Sequence, residues 1–299
     1  MKDKQLSSFL LWAFLLAWAL QAVAIGLAWN GQTHYFQLAL LVSMYAPFAA
    51  VLLAKAPRDM GWSLKLRHKG KWVLAAWFGF AVLAVLGAAV YFLLFPKAFD
   101  PGFGFLAAQL GEEGLRQMEA QGLTLETLVL IQLVEALTYA PLINTFAALG
   151  EEVGWRGFLY PRLKARFGTV KGRLLGGAIW GVWHWPVMIL AGYNYGSDYW
   201  GAPVLGPLLF CAVCVALGTI IDDLYEKTGC IWVPALAHGA FNAVSGLGVL
   251  VLNPAYITHT TLGPAPIGLI GGLPLFALAL LLLAKSGKAA DEQKTAGNE

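Results

Sequence analysis

The residues of this chain best placed to do chemistry lie at 148–160, where Glu151, Glu152 and Arg156 interrupt an otherwise apolar run. On a helix, Glu152 and Arg156 sit one turn apart on the same face and can pair. Glu151 is rotated by about 100° from Glu152 and points elsewhere. The spacing therefore predicts one carboxylate held by the arginine and a second left free. An ionisable side chain at the centre of a membrane helix costs roughly 2.5–3.5 kcal/mol, which makes such a residue a functional candidate by default. A solvated helix end just past the bilayer is the plainer alternative.

Two more polar clusters follow. Trp180-Gly181-Val182-Trp183-His184-Trp185-Pro186 places His184 one turn after Trp180 on the same face. His184 also lies about 16 Å into the membrane from Arg173, at 1.5 Å per residue. His238-Gly239-Ala240-Phe241-Asn242 puts His238 and Asn242 one turn apart. Taken alone, such a pair could simply join helices, a contact worth about 0.6 kcal/mol. Together the three clusters say more. If their faces converge, one cavity holds a carboxylate, two imidazoles, an amide and an ion pair. A carboxylate and an imidazole can share a water as general base, and a neutral imidazole and a carboxamide can donate to a developing oxyanion. That inventory suits hydrolysis of an acyl bond by water.

Composition sets the medium in which this chemistry must work. The 299 residues are 59% hydrophobic and 12% charged, against about 25% charged in soluble domains. The chain reads as an all-α, polytopic membrane protein with the lipid bilayer as its main partner, and its 12 Trp and 10 Tyr suit interfacial belts. A net charge of +3 is too small to argue for nucleic acid, and no basic run is interleaved with aromatics, so no nucleic-acid partner is expected. Three cysteines build no disulfide framework; Cys211 and Cys214, three apart in an apolar helix, read as small packing residues. Lys2 and Lys4 precede a run at 10–29 that is long enough to span and has no clear small-residue cleavage site, so it reads as an uncleaved first helix.

Runs of about 20 apolar residues cross the hydrocarbon. Eight are expected, near 9–29, 36–54, 72–95, 128–149, 174–192, 203–221, 231–252 and 265–284. With eight spans, 18 of the 20 Lys and Arg fall on one side. That bias predicts both termini and the even loops in the cytoplasm. The third loop, from Pro96 to about Gly122, has the pattern of an amphipathic interfacial helix, and the tail from Lys285 that of a disordered segment. The fourth span is ambiguous, because Pro141 could start a helix. A span from Pro141 to Tyr160 would carry Glu151 to mid-membrane instead of the rim. One membrane domain is expected, with three helices and the loop helix in 1–122, the site-bearing core in 123–252, and the last span and tail in 253–299.

The ordered pattern Glu-Glu-x-x-x-Arg, Trp180-x-x-x-His184 and His238-x-x-x-Asn242 resembles the CAAX prenyl protease 2 family, within the wider CPBP or Abi group of intramembrane proteases and bacteriocin self-immunity proteins. The family often has Phe where this chain has Trp180. The resemblance implies an integral-membrane endopeptidase, in a plasma or inner membrane, with its cavity open to the cytosol. Its substrate would be a membrane-associated peptide or protein, prenylated at its C-terminus in the best-known case. Glu151 and His184 would activate water, His238 and Asn242 would stabilise the oxyanion, and Glu152, Arg156 and Trp180 would support them. No cofactor is required on this reading, although Glu151, His184 and His238 could supply three zinc ligands with one open position. A protease-shaped immunity protein that binds without cutting is the alternative. A proton-coupled transporter is a weaker one, since it predicts repeat symmetry between the halves and none is visible.

Overall fold

The computed structural model describes residues 4–56 and 59–296. Lys2, Arg58 and the last three residues, which entered the expectations above, lie outside them. Among the described residues the chain is all helix, with a single antiparallel bridge between Phe99 and Leu252 as its one β contact. A chain this apolar can satisfy its backbone in lipid only within helices or a closed barrel.

In order, the helices are α1 Lys4–Trp29, α2 Thr33–Ser43, α3 Ala46–Leu53, α4 Gly70–Leu94, α5 Gly104–Ala120, α6 Leu125–Leu137 and α7 Ala140–Gly154. After a π-helical turn at Trp155–Leu159 come α8 Tyr160–Phe167, α9 Thr169–Trp183, α10 Trp185–Ala191, α11 Leu205–Thr228, α12 Trp232–Val244 and α13 Leu273–Ala296. Where eight spans were expected, six stretches among the described residues are long and apolar enough to cross a membrane. A seventh arises if α5 and α6, bent by 91° at their junction, form one broken span.

The differences from expectation have local causes. The expected fourth span at 128–149 is two helices: Pro141 has no N–H to give the Leu137 carbonyl, so the helix ends at Leu137 and restarts at Ala140. From there α7, the π turn and α8 run on without interruption to Phe167. Glu151 thus lies inside an unbroken helical run that starts at Ala140 and not at the end of a span over 128–149. The eighth expected span begins in turns and becomes helical only at Leu273. Its helix then continues through the segment expected to be disordered. The third-loop helix forms as α5, interrupted at Gly111, whose φ of 64° no ordinary helical residue adopts.

Two helix pairs form the scaffold of the interior: α12 lies along α7, and α11 along α9. Both contacts depend on missing side chains, as small residues let membrane helices approach. A Cβ at Gly239 would stand 2.7 Å from the Thr145 nitrogen, and one at Gly181 would stand 2.6 Å from the Cys211 Cα. Cys211 and Cys214 are free thiols of this packed face, as expected of small packing residues.

Candidate active site

Glu151 and Glu152 end up deep in the protein, 2% and 0% exposed, and Arg156 is 0% exposed. Arg156 Nη1 donates to Glu152 Oε1 at 2.9 Å, the pairing their spacing predicts. Glu151 is not free in the way expected. Its Oε2 accepts from two indoles, Trp155 Nε1 at 3.1 Å and Trp180 Nε1 at 2.6 Å. Trp155 comes from the next turn of the same helix and Trp180 from α9, so two helices fix one carboxylate oxygen. The other oxygen, Oε1, has no hydrogen-bond partner among the described residues, and Glu151 lines a cavity of about 470 Å³.

His184 occupies the break between α9 and α10. Pro186 cannot donate to Val182 and ends the helix here. The His184 N–H turns to the Gly181 carbonyl at 3.1 Å, and the imidazole Nδ1 takes the Trp180 carbonyl instead, at 2.9 Å. A carbonyl only accepts, so Nδ1 carries the proton and the neutral ring keeps a lone pair on Nε2. The ring is held edge-on between Trp183 and Phe210, with centroids at 4.6 and 5.0 Å.

His238 is set by the same logic from the other side. Its Nδ1 lies 2.8 Å from Glu152 Oε1, the oxygen that also receives Arg156. A carboxylate paired with arginine accepts only, so Nδ1 of His238 is again the protonated nitrogen. This changes the role a neutral His238 can play. Its Nε2 then offers a lone pair, and the ring donates toward the cavity only as an imidazolium facing Glu152. Asn242, one turn along α12, makes no side-chain hydrogen bond among the described residues and needs no protonation to donate.

Glu151, Trp180, His184, His238 and Asn242 all line the one cavity. Glu152 and Arg156 stand behind it, Glu152 against His238 and Arg156 with its guanidinium carbon 4.4 Å from the Trp180 ring centroid. Among the described residues, no group of three His, Cys, Asp or Glu is arranged to hold a metal ion.

Comparison with known proteins bears on the same stretch. Residues 133–244 match the family model described as type II CAAX prenyl endopeptidase, Rce1-like. Over 81 residues the chain is 31% identical to a protein of Methanococcus maripaludis named CAAX prenyl protease 2. Over this segment the chain is similar to the Rce1-like family. The Rce1-like stretch starts inside α6 and ends with α12, so it contains every helix that supplies the four cavity residues Glu151, His184, His238 and Asn242. The pairwise match covers 27% of this chain and spans 30% of the length of that relative.

Several cavity residues lay outside the sequence reading, Asn144 and Gln21 among them. Asn144, on α7, and Gln21, on α1, both line the same space. Asn144 stands two turns before Glu151 on one face, a signal that periodicity could have caught. Gln21 is held by contacts 162 residues away in the chain, which no local pattern encodes.

Proposed function

We propose that this chain is an integral-membrane endopeptidase that hydrolyses a peptide bond of a membrane-associated substrate, with water activated by Glu151 and His184. The observation that carries the reading is the convergence of Glu151, His184, His238 and Asn242 on one cavity from three separate helical segments. Water sits between Glu151 Oε1 and His184 Nε2, gives up a proton to this pair and attacks the carbonyl carbon. The carbonyl π electrons move to oxygen, and Asn242 Nδ2 and a protonated His238 donate to the oxyanion. Collapse reforms the carbonyl, breaks the C–N bond and returns the proton to the departing amine.

No metal enters this scheme. In keeping with the printed name of the relative, the substrate class we propose is a peptide bearing a lipidated cysteine near its C-terminus. The cavity opens to the cytosol, eight segments enter or cross the bilayer, and both termini lie on the cytosolic side, as the charge bias supports.

The test uses the full chain reconstituted in liposomes with a fluorescence-quenched, farnesylated C-terminal peptide. Cleavage by the wild type that disappears in a folded Glu151→Gln variant is the expected result. A wild type that binds the peptide without cutting it would replace this reading with the non-catalytic, immunity-type one. Dialysis against a strong chelator should leave the rate unchanged; loss restored by added zinc would overturn the metal-free scheme.

A further inference from the structure

Tyr193 lies in the connection that follows α10, and it lines the catalytic cavity together with Glu151 and Asn242. Two left-handed residues fix its place in the chain. Gly192 ends α10 at φ 65°, and Asn194 follows at φ 72°, a conformation that asparagine tolerates better than most side chains. Between them the Tyr193 N–H returns to the Val187 carbonyl at 3.3 Å. The ring packs edge-on to Phe36, with centroids 6.5 Å apart. Backbone and ring are both anchored; the hydroxyl is not. Its oxygen makes no hydrogen bond among the described residues, yet it is not sealed off as the Tyr160 hydroxyl is. Burial pushes the phenol pKa up, and the Glu151 carboxylate pushes it further. A hydroxyl that is deep in the protein, open, and within reach of the charge on Glu151 faces the cavity that both residues line.

The reaction has a place for such a group. Neutral His238 gives its Nδ1 proton to Glu152 and turns a lone pair to the cavity, so Asn242 alone of the two donors named above needs no added proton. A phenol also donates in its neutral form. We infer that Tyr193 is a further catalytic residue, its O–H donating a hydrogen bond to the oxyanion of the tetrahedral intermediate beside Asn242. The inference rests on the endopeptidase reading above and adds a donor to it. As the carbonyl π electrons move to oxygen, the phenol keeps its proton and shares it with the new charge. When the carbonyl reforms and the C–N bond breaks, that hydrogen bond weakens and no proton has to be returned. Two neutral donors then serve the oxyanion whatever the charge on His238.

Tyr193→Phe removes the oxygen and keeps the ring against Phe36. In liposomes with the farnesylated reporter peptide, kcat should fall about 100-fold while KM changes by less than about twofold. A phosphinate analogue of the same peptide carries a tetrahedral, anionic P–O group where the scissile carbonyl stood. It should bind the variant about 100-fold more weakly. The uncut peptide should bind Glu151→Gln equally well with and without the second substitution. A role in substrate binding alone would raise KM and spare kcat. A structural role would lower the unfolding midpoint and weaken phosphinate and peptide alike. Either result overturns the inference and leaves the endopeptidase reading standing. Should the variant not fold, 3-fluorotyrosine at position 193 carries the test: its fluorine resonance should move when the phosphinate binds, and an unmoved resonance overturns the inference. A wild type that cuts no peptide overturns the endopeptidase reading, and this inference with it.

Discussion

Two buried arginines in this protein are treated in opposite ways. Arg173, on α9, has every guanidinium nitrogen matched to an oxygen: Nε to Asp222 at 2.7 Å, Nη1 to Ser286 at 2.9 Å and Nη2 to Glu226 at 2.9 Å. Lys164 adds contacts to both Asp222 oxygens and to Glu226. This network ties α8, α9, α11 and α13 together. Arg156, at the cavity, has one oxygen partner. Its Nε and Nη2 are buried without one, as are Glu152 Oε2 and the Tyr160 hydroxyl. The guanidinium faces go to aromatic rings instead, with its carbon 4.4 Å from the Trp180 centroid and 4.8 Å from that of Tyr160. Cation–π contacts of this kind recover about 2 kcal/mol when desolvated. The first cluster is saturated and so has one arrangement. The second places the Glu152–Arg156 ion pair beside His238, the ring that donates to the oxyanion under the proposed chemistry.

The contrast can be broken at four points. Glu151→Gln should lower turnover by roughly 10³-fold, within the range for losing a general base. The unfolding midpoint should stay close to wild type, because Gln still accepts from the two indoles; a large drop in stability would make Glu151 a structural residue like those around Arg173. Arg173→Met should do the reverse. It strands Asp222 and Glu226 beside Lys164 alone and should cost about 3 kcal/mol or more, seen in denaturant unfolding of the solubilised protein. The rate per folded molecule should hold.

Glu152→Gln sharpens the comparison further. It takes the carboxylate from His238 and should cut kcat by about 10–100-fold, the scale seen when a carboxylate that orients a histidine is removed. An unchanged kcat would place Glu152 with the scaffold. The smallest effect belongs to Trp180→Phe, which removes one of the two indole donors on Glu151 and should slow turnover about tenfold. Trp155 remains to hold the same oxygen. A loss as large as that of Glu151→Gln would show that Trp180 does more than orient.

Much of this was legible in the residue spacing, and the reasons are physical. Helical periodicity put Glu152 beside Arg156, and four-residue spacing put His238 and Asn242 on one face. Such relations survive folding because they lie within a single element. The long apolar runs required helices, since lipid offers the backbone no partners and a barrel strand is far shorter. What spacing could not show is how elements meet. The clamp of Trp180 on Glu151 joins residues 29 apart, and that of Gln21 on Trp183 joins residues 162 apart. The carboxylate expected to be free is therefore held by two indoles. The span count differed for a related reason. An apolar run marks where a chain can enter lipid, but Pro141 decides where the helix inside that run begins.

The π turn at Trp155–Leu159 carries one residue more than the surrounding helix has room for in its regular winding; there the Tyr160 N–H reaches back to the Trp155 carbonyl. Everything upstream of it serves Glu151 and Glu152, and everything downstream serves the Lys164 contacts with α11. The chain thus has an out-of-phase joint between its reactive half-turns and its anchoring ones. Deleting one residue of α8 ahead of Lys164, where the winding is regular, would swing Lys164 about 100° around the axis, away from Asp222. The same deletion at Gly157 removes only the surplus residue, so it restores regular winding and leaves the phase of α8 unchanged. The tolerance of this stretch to a change of length therefore lies at the turn itself.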